Sequence, residues 1–249
     1  MATARGGRAV ESVTSGVIPQ PRVALVAMPA RDPDTVRREP DAAPGEPRPG
    51  EPRAALAALR DALQRCRECP LGYFATQGVA GEGALRPALM LVGEVPGDQE
   101  DLQGHTFVGP AGQLLFHAID SLGWPRESLF VTNPVKHFKF ELRGKRRIHK
   151  TPSQREAAAC LHWLEEEIGL VEPRAAIALG ATAARSLMRR SVAVTRERGN
   201  WLQRDDGLRV LITLHPSALL RLRGDERESA YELWLDDLRK ADSIFGSRS

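Results

Sequence analysis

Three cysteines, Cys66, Cys69 and Cys160, are all that the 249 residues contain. With so few, a disulfide between Cys66 and Cys69 is the plain alternative, disfavoured in a cytosolic setting, as is a redox pair, because this C-x-x-C closes a helix rather than opening one. Aromatic residues are scarce at 5%, although 42% of the chain is apolar, enough to bury a real core. No apolar run approaches the roughly 20 residues that a bilayer span needs. The N-terminus also lacks a cationic start followed by a long hydrophobic segment, so no secretory signal is expected, and the default placement is the cytosol. Charge of one sign is lacking too. With a net charge of only +3, affinity for a polyanion has to come from local clustering rather than from bulk charge.

What is present divides in two. Residues 1–50 carry eight of the eighteen prolines, mixed charges and one short apolar patch at 23–28, the composition of a disordered leader. Residues 51–245 read as one folded domain. Leu56, Leu59 and Leu63 place an apolar stripe on a helix that starts near Pro52 and ends at Cys66. Short apolar runs then alternate with helical stretches: strands near 88–92, 129–131, 176–179 and 210–214, and helices near 110–119, 153–167, 181–188 and at the C-terminus through Tyr231, Leu233, Trp234, Leu235 and Leu238. Ser153 and Glu156 have the spacing of a capping box. Continuous apolar strands with amphipathic helices between them predict a three-layer α/β/α fold around a central, mainly parallel sheet.

In such a sheet ligands bind outside the carboxyl ends of the strands. Glu94, Asp98, Asn133 and His215 follow predicted strands, so they are expected to converge on one crevice. Taken singly, each has a plain alternative as a turn or cap residue: Gly97-Asp98 as a tight turn, His215-Pro216-Ser217 as a helix start. A second cluster is basic. Lys136, Lys139, Arg143, Lys145, Arg146, Arg147 and Lys150 face one acid, Glu141, and suit a phosphate backbone, with a solvated basic loop as the alternative. Within it His149 stands out, because a neutral imidazole can act as base, ligand or nucleophile.

Cys66 and Cys69 have metal-site spacing, and with Cys160 they leave a four-ligand site one short. His137 is the candidate fourth ligand, for an iron–sulfur cluster or for zinc. Spacing alone does not choose.

Gly93-Glu94-Val95-Pro96-Gly97-Asp98-Gln99-Glu100-Asp101, Phe107-Val108-Gly109-Pro110-Ala111-Gly112, Thr132-Asn133-Pro134-Val135-Lys136, Arg146-Arg147-Ile148-His149 and His215-Pro216-Ser217 together resemble the uracil-DNA glycosylase superfamily. More narrowly they resemble its UdgX branch, related to the iron–sulfur family 4 enzymes, over about residues 52–243. The Lys145-to-His149 insertion is that branch's mark. The resemblance implies a uracil-DNA glycosylase fold, a uracil-containing DNA substrate with a single strand as the expected form, a monomer, and a loop histidine that bonds to the sugar after uracil leaves. It also implies a 4Fe-4S cluster, with Val135-Lys136-His137 standing where family 4 has Val-Lys-Cys. Val95 departs from the branch, which has Gln there, so any contact of that amide to DNA or to the loop is absent.

The expected chemistry follows. Uracil must be taken from a single strand or flipped into a pocket. Phe107 is placed to stack on the base, and the Asn133 amide offers a donor and an acceptor to its O4/N3 edge. Gly93 and Asp101 are placed at the substrate with them. His215 is to donate to the oxygen that gains negative charge. The sugar is then captured by His149, with Glu94 orienting the ring, or by a water that Asp98 positions. Arg147 is assigned to a backbone phosphate or to anchoring the loop. Three readings follow: a self-capturing glycosylase, a turnover glycosylase of the same fold, and a non-catalytic iron–sulfur or zinc protein that binds nucleic acid.

Overall fold

The computed structural model describes residues 51–246, and the leader expected over residues 1–50 lies outside them. Pro52 opens α1 (Pro52–Gln64) at a position where a missing N–H costs nothing, and Leu59 and Leu63 turn inward. After the C-x-x-C come a one-turn helix α2 (Leu71–Phe74) and a two-residue edge strand β1 (Glu82–Gly83). β2 (Leu89–Val92), α3 (Asp98–Gln103), α4 (Pro110–Leu122) and β3 (Leu129–Thr132) follow. Then come a hairpin of β4 (Phe140–Arg143) and β5 (Arg146–His149), and α5 (Gln154–Val171). Ser153 and Glu156 form the capping box that their spacing predicts. The chain closes with β6 (Ala176–Leu179), α6 (Ala181–Met188), α7 (Val194–Glu197), β7 (Trp201–Gln203), β8 (Arg209–Thr213), α8 (Pro216–Leu219) and α9 (Gly224–Arg239).

Six strands form one sheet in the order β1-β3-β2-β6-β8-β7. The inner four are parallel, and the two edges, β1 and β7, run antiparallel. Alternate residues of each strand point to opposite faces. Leu89, Leu91, Ile177 and Leu211 pack with Leu115 and Ile119 of α4 and with Trp234 and Leu238 of α9. Met90, Val92, Ala178 and Ile212 pack with Leu164 of α5 and Leu187 of α6. Both faces are dry, which is why the strands read as unbroken apolar runs. Among the described residues no helix is long and apolar enough to cross a membrane.

The structure adds to the sequence reading in several places. The edge strands are too short to show a period. Residues 140–149, read as a basic loop, are a hairpin: a two-residue turn at Gly144 (φ 61) and Lys145 joins strands whose alternation is hidden under charge. Asp98 begins a helix rather than sitting in a tight turn. Leu233 lies on the outer face of α9, 56% exposed.

Candidate active site

The parallel strands end along one edge of the sheet, where the segments after β2, β3 and β8 surround a cavity of about 470 Å³. Glu94, Asp98, Phe107, Asn133, His149 and His215 all line it. Residues more than 120 positions apart in the chain thus meet through the topology alone.

The base-sized slot is built around a missing side chain. A Cβ on Gly93 would lie 2.3 Å from Asn133 Oδ1 and 2.6 Å from Phe107 Cζ. Gly93 therefore lets the amide and the ring close over the end of β2, and makes that contribution without lining the cavity itself. Phe107 is buried and held at φ 55, a left-handed conformation that is strained for an aromatic residue. A Cβ on Gly112 would lie 1.7 Å from the Phe107 carbonyl oxygen, so α4 can seat the loop only with glycine there. Gly93→Ala is expected to displace Asn133 or Phe107 and to lower excision by roughly a hundredfold, the effect of misplacing a substrate contact by about 1 Å. Single-turnover rates alongside a melting curve check that the fold survives.

His215 caps α8. Its Nδ1 accepts from the Ser217 N–H at 3.2 Å and lies 2.8 Å from the Ser217 hydroxyl. A backbone N–H can only donate, so Nδ1 carries no proton and Nε2–H is the group left for the cavity. Burial, then the neighbouring His149 and Arg221, push its pKa down to about 4. The ring is therefore a neutral donor at ordinary pH, and it stacks against Phe107 with centroids 6.4 Å apart and planes at 29°.

His149 ends β5 at the cavity rim, with solvent on one side and the Phe138 ring behind it, centroids 6.0 Å apart. Desolvation by the walls lowers its pKa, the Glu94 carboxylate opposes that, and the Arg221 charge adds to it. Glu94 is near enough to be felt, but its hydrogen bond goes to the Thr182 hydroxyl at 3.0 Å, at the start of α6. Thr182 thereby fixes the carboxylate on the cavity side.

Arg147 is held inside the protein. Its guanidinium contacts the Asp98 carboxylate at 2.6 Å, Asp101 Oδ2 at 2.6 Å and the Thr76 hydroxyl at 3.2 Å, and lies over the rings of Phe138 and Phe140 at 5.3 Å each. This geometry is a clamp that fixes the hairpin two residues before His149. Asp101, expected at the substrate, belongs to the same clamp. It is fully buried, outside the cavity lining, and accepts from the Thr76 N–H and hydroxyl and from the Gln77 N–H as well as from Arg147.

Two cavity residues escaped the sequence reading. Glu100 is 8% exposed and accepts from the Gly109 N–H at 2.9 Å, joining α3 to the start of α4. Arg221, five residues after the His-Pro pair, supplies the only fixed positive charge that the described residues place on a cavity wall that also carries three carboxylates, those of Glu94, Asp98 and Glu100. Glu100 had a cue, as the third acid of the first motif, whereas Arg221 sits among leucines with none.

The three cysteines are buried and free. Cys160 packs with Cys69, Leu71, Val135 and Val95, so Val95 ties the cavity wall to the thiols. Burial pushes the Cys160 thiol up to about 12; the Lys136 N–H opposes this, and Cys69 and Cys66 add to it. Thiols this close and this dry become thiolates only against a bound cation. His137 is 2% exposed and its Nδ1 is buried without a hydrogen-bond partner, which leaves a lone pair or a proton unmatched. Among the described residues no group of three or more His, Cys, Asp or Glu side chains is gathered as one metal ion requires. Tetrahedral zinc, with Zn–S near 2.3 Å, would hold its sulfurs roughly 3.8 Å apart. A cubane carries each ligand on a separate iron, and three buried thiols with an imidazole whose Nδ1 has no partner are donors of the kinds it takes.

Behind Asn133 lies a buried ion pair. Lys136 Nζ is 2.6 Å from Glu167 Oε2 and 2.8 Å from the Thr132 hydroxyl, and Glu167 also accepts from the Gly81 N–H at 2.7 Å. Both charged side chains are essentially inaccessible, 0% and 1%.

Comparison with known proteins agrees with this geometry. Residues 80–239 match the family model described as the uracil DNA glycosylase superfamily. A type-4 uracil-DNA glycosylase of Pyrobaculum aerophilum is 39% identical over 180 residues, 68% of this chain and 88% of the relative. One of Thermotoga maritima is 37% identical over 190 residues, 76% of this chain and 94% of the relative. A match across most of the folded residues, with the cavity at the strand ends, leads to one conclusion: the chain belongs to the uracil DNA glycosylase superfamily and is a DNA glycosylase.

Proposed function

We propose that this protein excises uracil from DNA and that His149 then captures the sugar, leaving the protein bonded to its substrate. The observation that carries this reading is a neutral imidazole on the wall of the same cavity as Phe107, Asn133 and His215. Uracil stacks on Phe107 and is read by the Asn133 amide. As the C1′–N1 bond breaks, its electrons pass to the base, and His215 Nε2–H donates to the oxygen that becomes negative. The His149 lone pair forms the new C1′–N bond. The imidazolium so formed faces Glu94 and can release its remaining N–H proton to solvent, and the departing uracil anion takes up one proton from solvent. Imidazole is a poor leaving group from carbon, so each molecule acts once.

Capture needs a ring held still, and the Arg147 clamp supplies that rigidity. A second reading, release of the abasic product after attack by water at Asp98, is favoured by the names of the relatives, both type-4 uracil-DNA glycosylases. Against it, the Asp98 carboxylate is engaged by Arg147 at 2.6 Å. A denaturing gel after incubation with uracil-containing single-stranded DNA separates the readings. Capture predicts a heat-stable protein–DNA band that His149→Ala abolishes, and turnover predicts abasic product without the band.

Cys66, Cys69, Cys160 and His137 are the proposed ligands of a 4Fe-4S cluster. When bound, such a cluster would tie α1, the segment before the hairpin and α5 together, a structural contribution. Iron rather than zinc in the purified protein is the expected result of metal analysis.

A further inference from the structure

Tyr73 and Phe74, on α2, are 67% and 72% exposed, and they are the only aromatic residues among the large apolar side chains that the described residues leave in water. The helix is pinned so that they cannot turn inward. Leu71 is buried against the thiols, and a Cβ on Gly72 would lie 2.3 Å from the Cys66 carbonyl oxygen. The Arg67 guanidinium sits 5.8 Å from the centre of the Tyr73 ring.

This exposed pair adjoins the hairpin that carries His149. Thr76, two residues after Phe74, contacts Arg147 at 3.2 Å, and Arg147 is two residues before His149. At the hairpin tip Lys145 and Arg146 are exposed, and no ion pair is formed by either among the described residues, whereas Arg143 and Lys150 share Glu141. Exposed aromatic rings on a segment that contacts a hairpin with unpaired cations match what single-stranded nucleic acid requires: stacking for unpaired bases and charge for the backbone. In a duplex the bases already stack on one another and offer no free face.

We propose that Tyr73 and Phe74 stack unpaired bases flanking the uracil, which makes this face a docking surface selective for single strands. The inference rests on the reading above that uracil-containing DNA is the substrate. Charge complementarity with the hairpin identifies DNA as the occupant. The test measures affinity of the full chain for an oligonucleotide carrying one 2′-fluorodeoxyuridine, which resists glycosidic cleavage, as a single strand and as a duplex. Tyr73→Ala/Phe74→Ala is expected to weaken single-strand binding roughly tenfold or more while duplex binding changes less than about twofold. Tyr73→Trp/Phe74→Trp is expected to retain affinity. The slope of log affinity against log salt is expected to stay unchanged in the alanine variant, and to shrink by roughly 1.4 in Lys145→Ala/Arg146→Ala, two backbone charges at about 0.7 each. Equal losses on both substrates, or no loss on either, would overturn the proposal, the latter assigning the rings to another occupant such as residues 1–50 or a protein. Binding is read without chemistry, so failure of the capture step leaves this outcome legible. A wild-type protein that bound neither oligonucleotide would instead count against the uracil-DNA reading, and this inference with it.

Discussion

His215→Ala is expected to lower the rate of uracil excision by roughly 10² to 10³, the usual cost of removing one donor aimed at developing negative charge. The size follows from how the ring is held. Nδ1 is committed to the Ser217 N–H, so Nε2 carries the only proton and no tautomeric change is needed during the reaction. Phe107 packs against the ring and the surrounding protein desolvates it, which strengthens its dipole relative to one in solvent. Excision is best measured as abasic product plus adduct under single-turnover conditions, so that capture does not mask it. The pH profile carries a sign that can be checked. With a pKa near 4, His215 stays neutral as pH falls through the ordinary imidazole range, and the limb that it contributes lies near pH 4. A limb from His215 near pH 6.5 would mean that the ring is not buried as described.

Lys136→Ala is the second large effect expected, on stability. Removing the ammonium leaves the Glu167 carboxylate with only the Gly81 N–H and the Thr132 hydroxyl, in a site with no access to water. Breaking such a pair costs about 3–5 kcal/mol. Lys136→Met/Glu167→Leu removes both charges, and much of the loss is expected to return, because the pair's desolvation cost disappears along with its attraction. Urea midpoints at constant m, measured on the protein as purified, report the difference. A single variant as stable as the double would contradict the buried pair. Lys136 also precedes His137, a proposed cluster ligand, so if collapse of the pair shifts this segment a fall in iron content is expected to accompany the single substitution.

How far the sequence led depended on the length of each signal. The four parallel strands were legible because burial on both faces leaves unbroken apolar runs, and the rule that ligands bind at their carboxyl ends then groups Glu94, Asp98, Asn133 and His215. The capping box at Ser153 was legible for a local reason, two side chains three residues apart. The clamp was not. Asp101 and Arg147 are 46 positions apart, and nothing in either segment signals that the acid is buried and that Asn133, rather than Asp101, faces the cavity. Nor does composition distinguish a hairpin from a loop when, as in 140–149, charges occupy both faces of the strands. Gly93 shows the opposite case. Its place in a motif marked it as important, but the reason, a missing Cβ that lets Asn133 and Phe107 approach, needed the geometry.

Covalent capture by His149 is tested most directly by the mass of the intact protein after reaction with a uracil-containing single-stranded oligonucleotide, followed by digestion to locate the modified peptide. Capture predicts a stoichiometric increase equal to the oligonucleotide less its uracil, carried on the peptide containing His149. Because burial lowers the pKa of this histidine, the adduct is expected to keep forming below the pH at which a free imidazole protonates, and to fail only in stronger acid. Unmodified protein alongside abasic product, or an adduct on any other side chain, would contradict it.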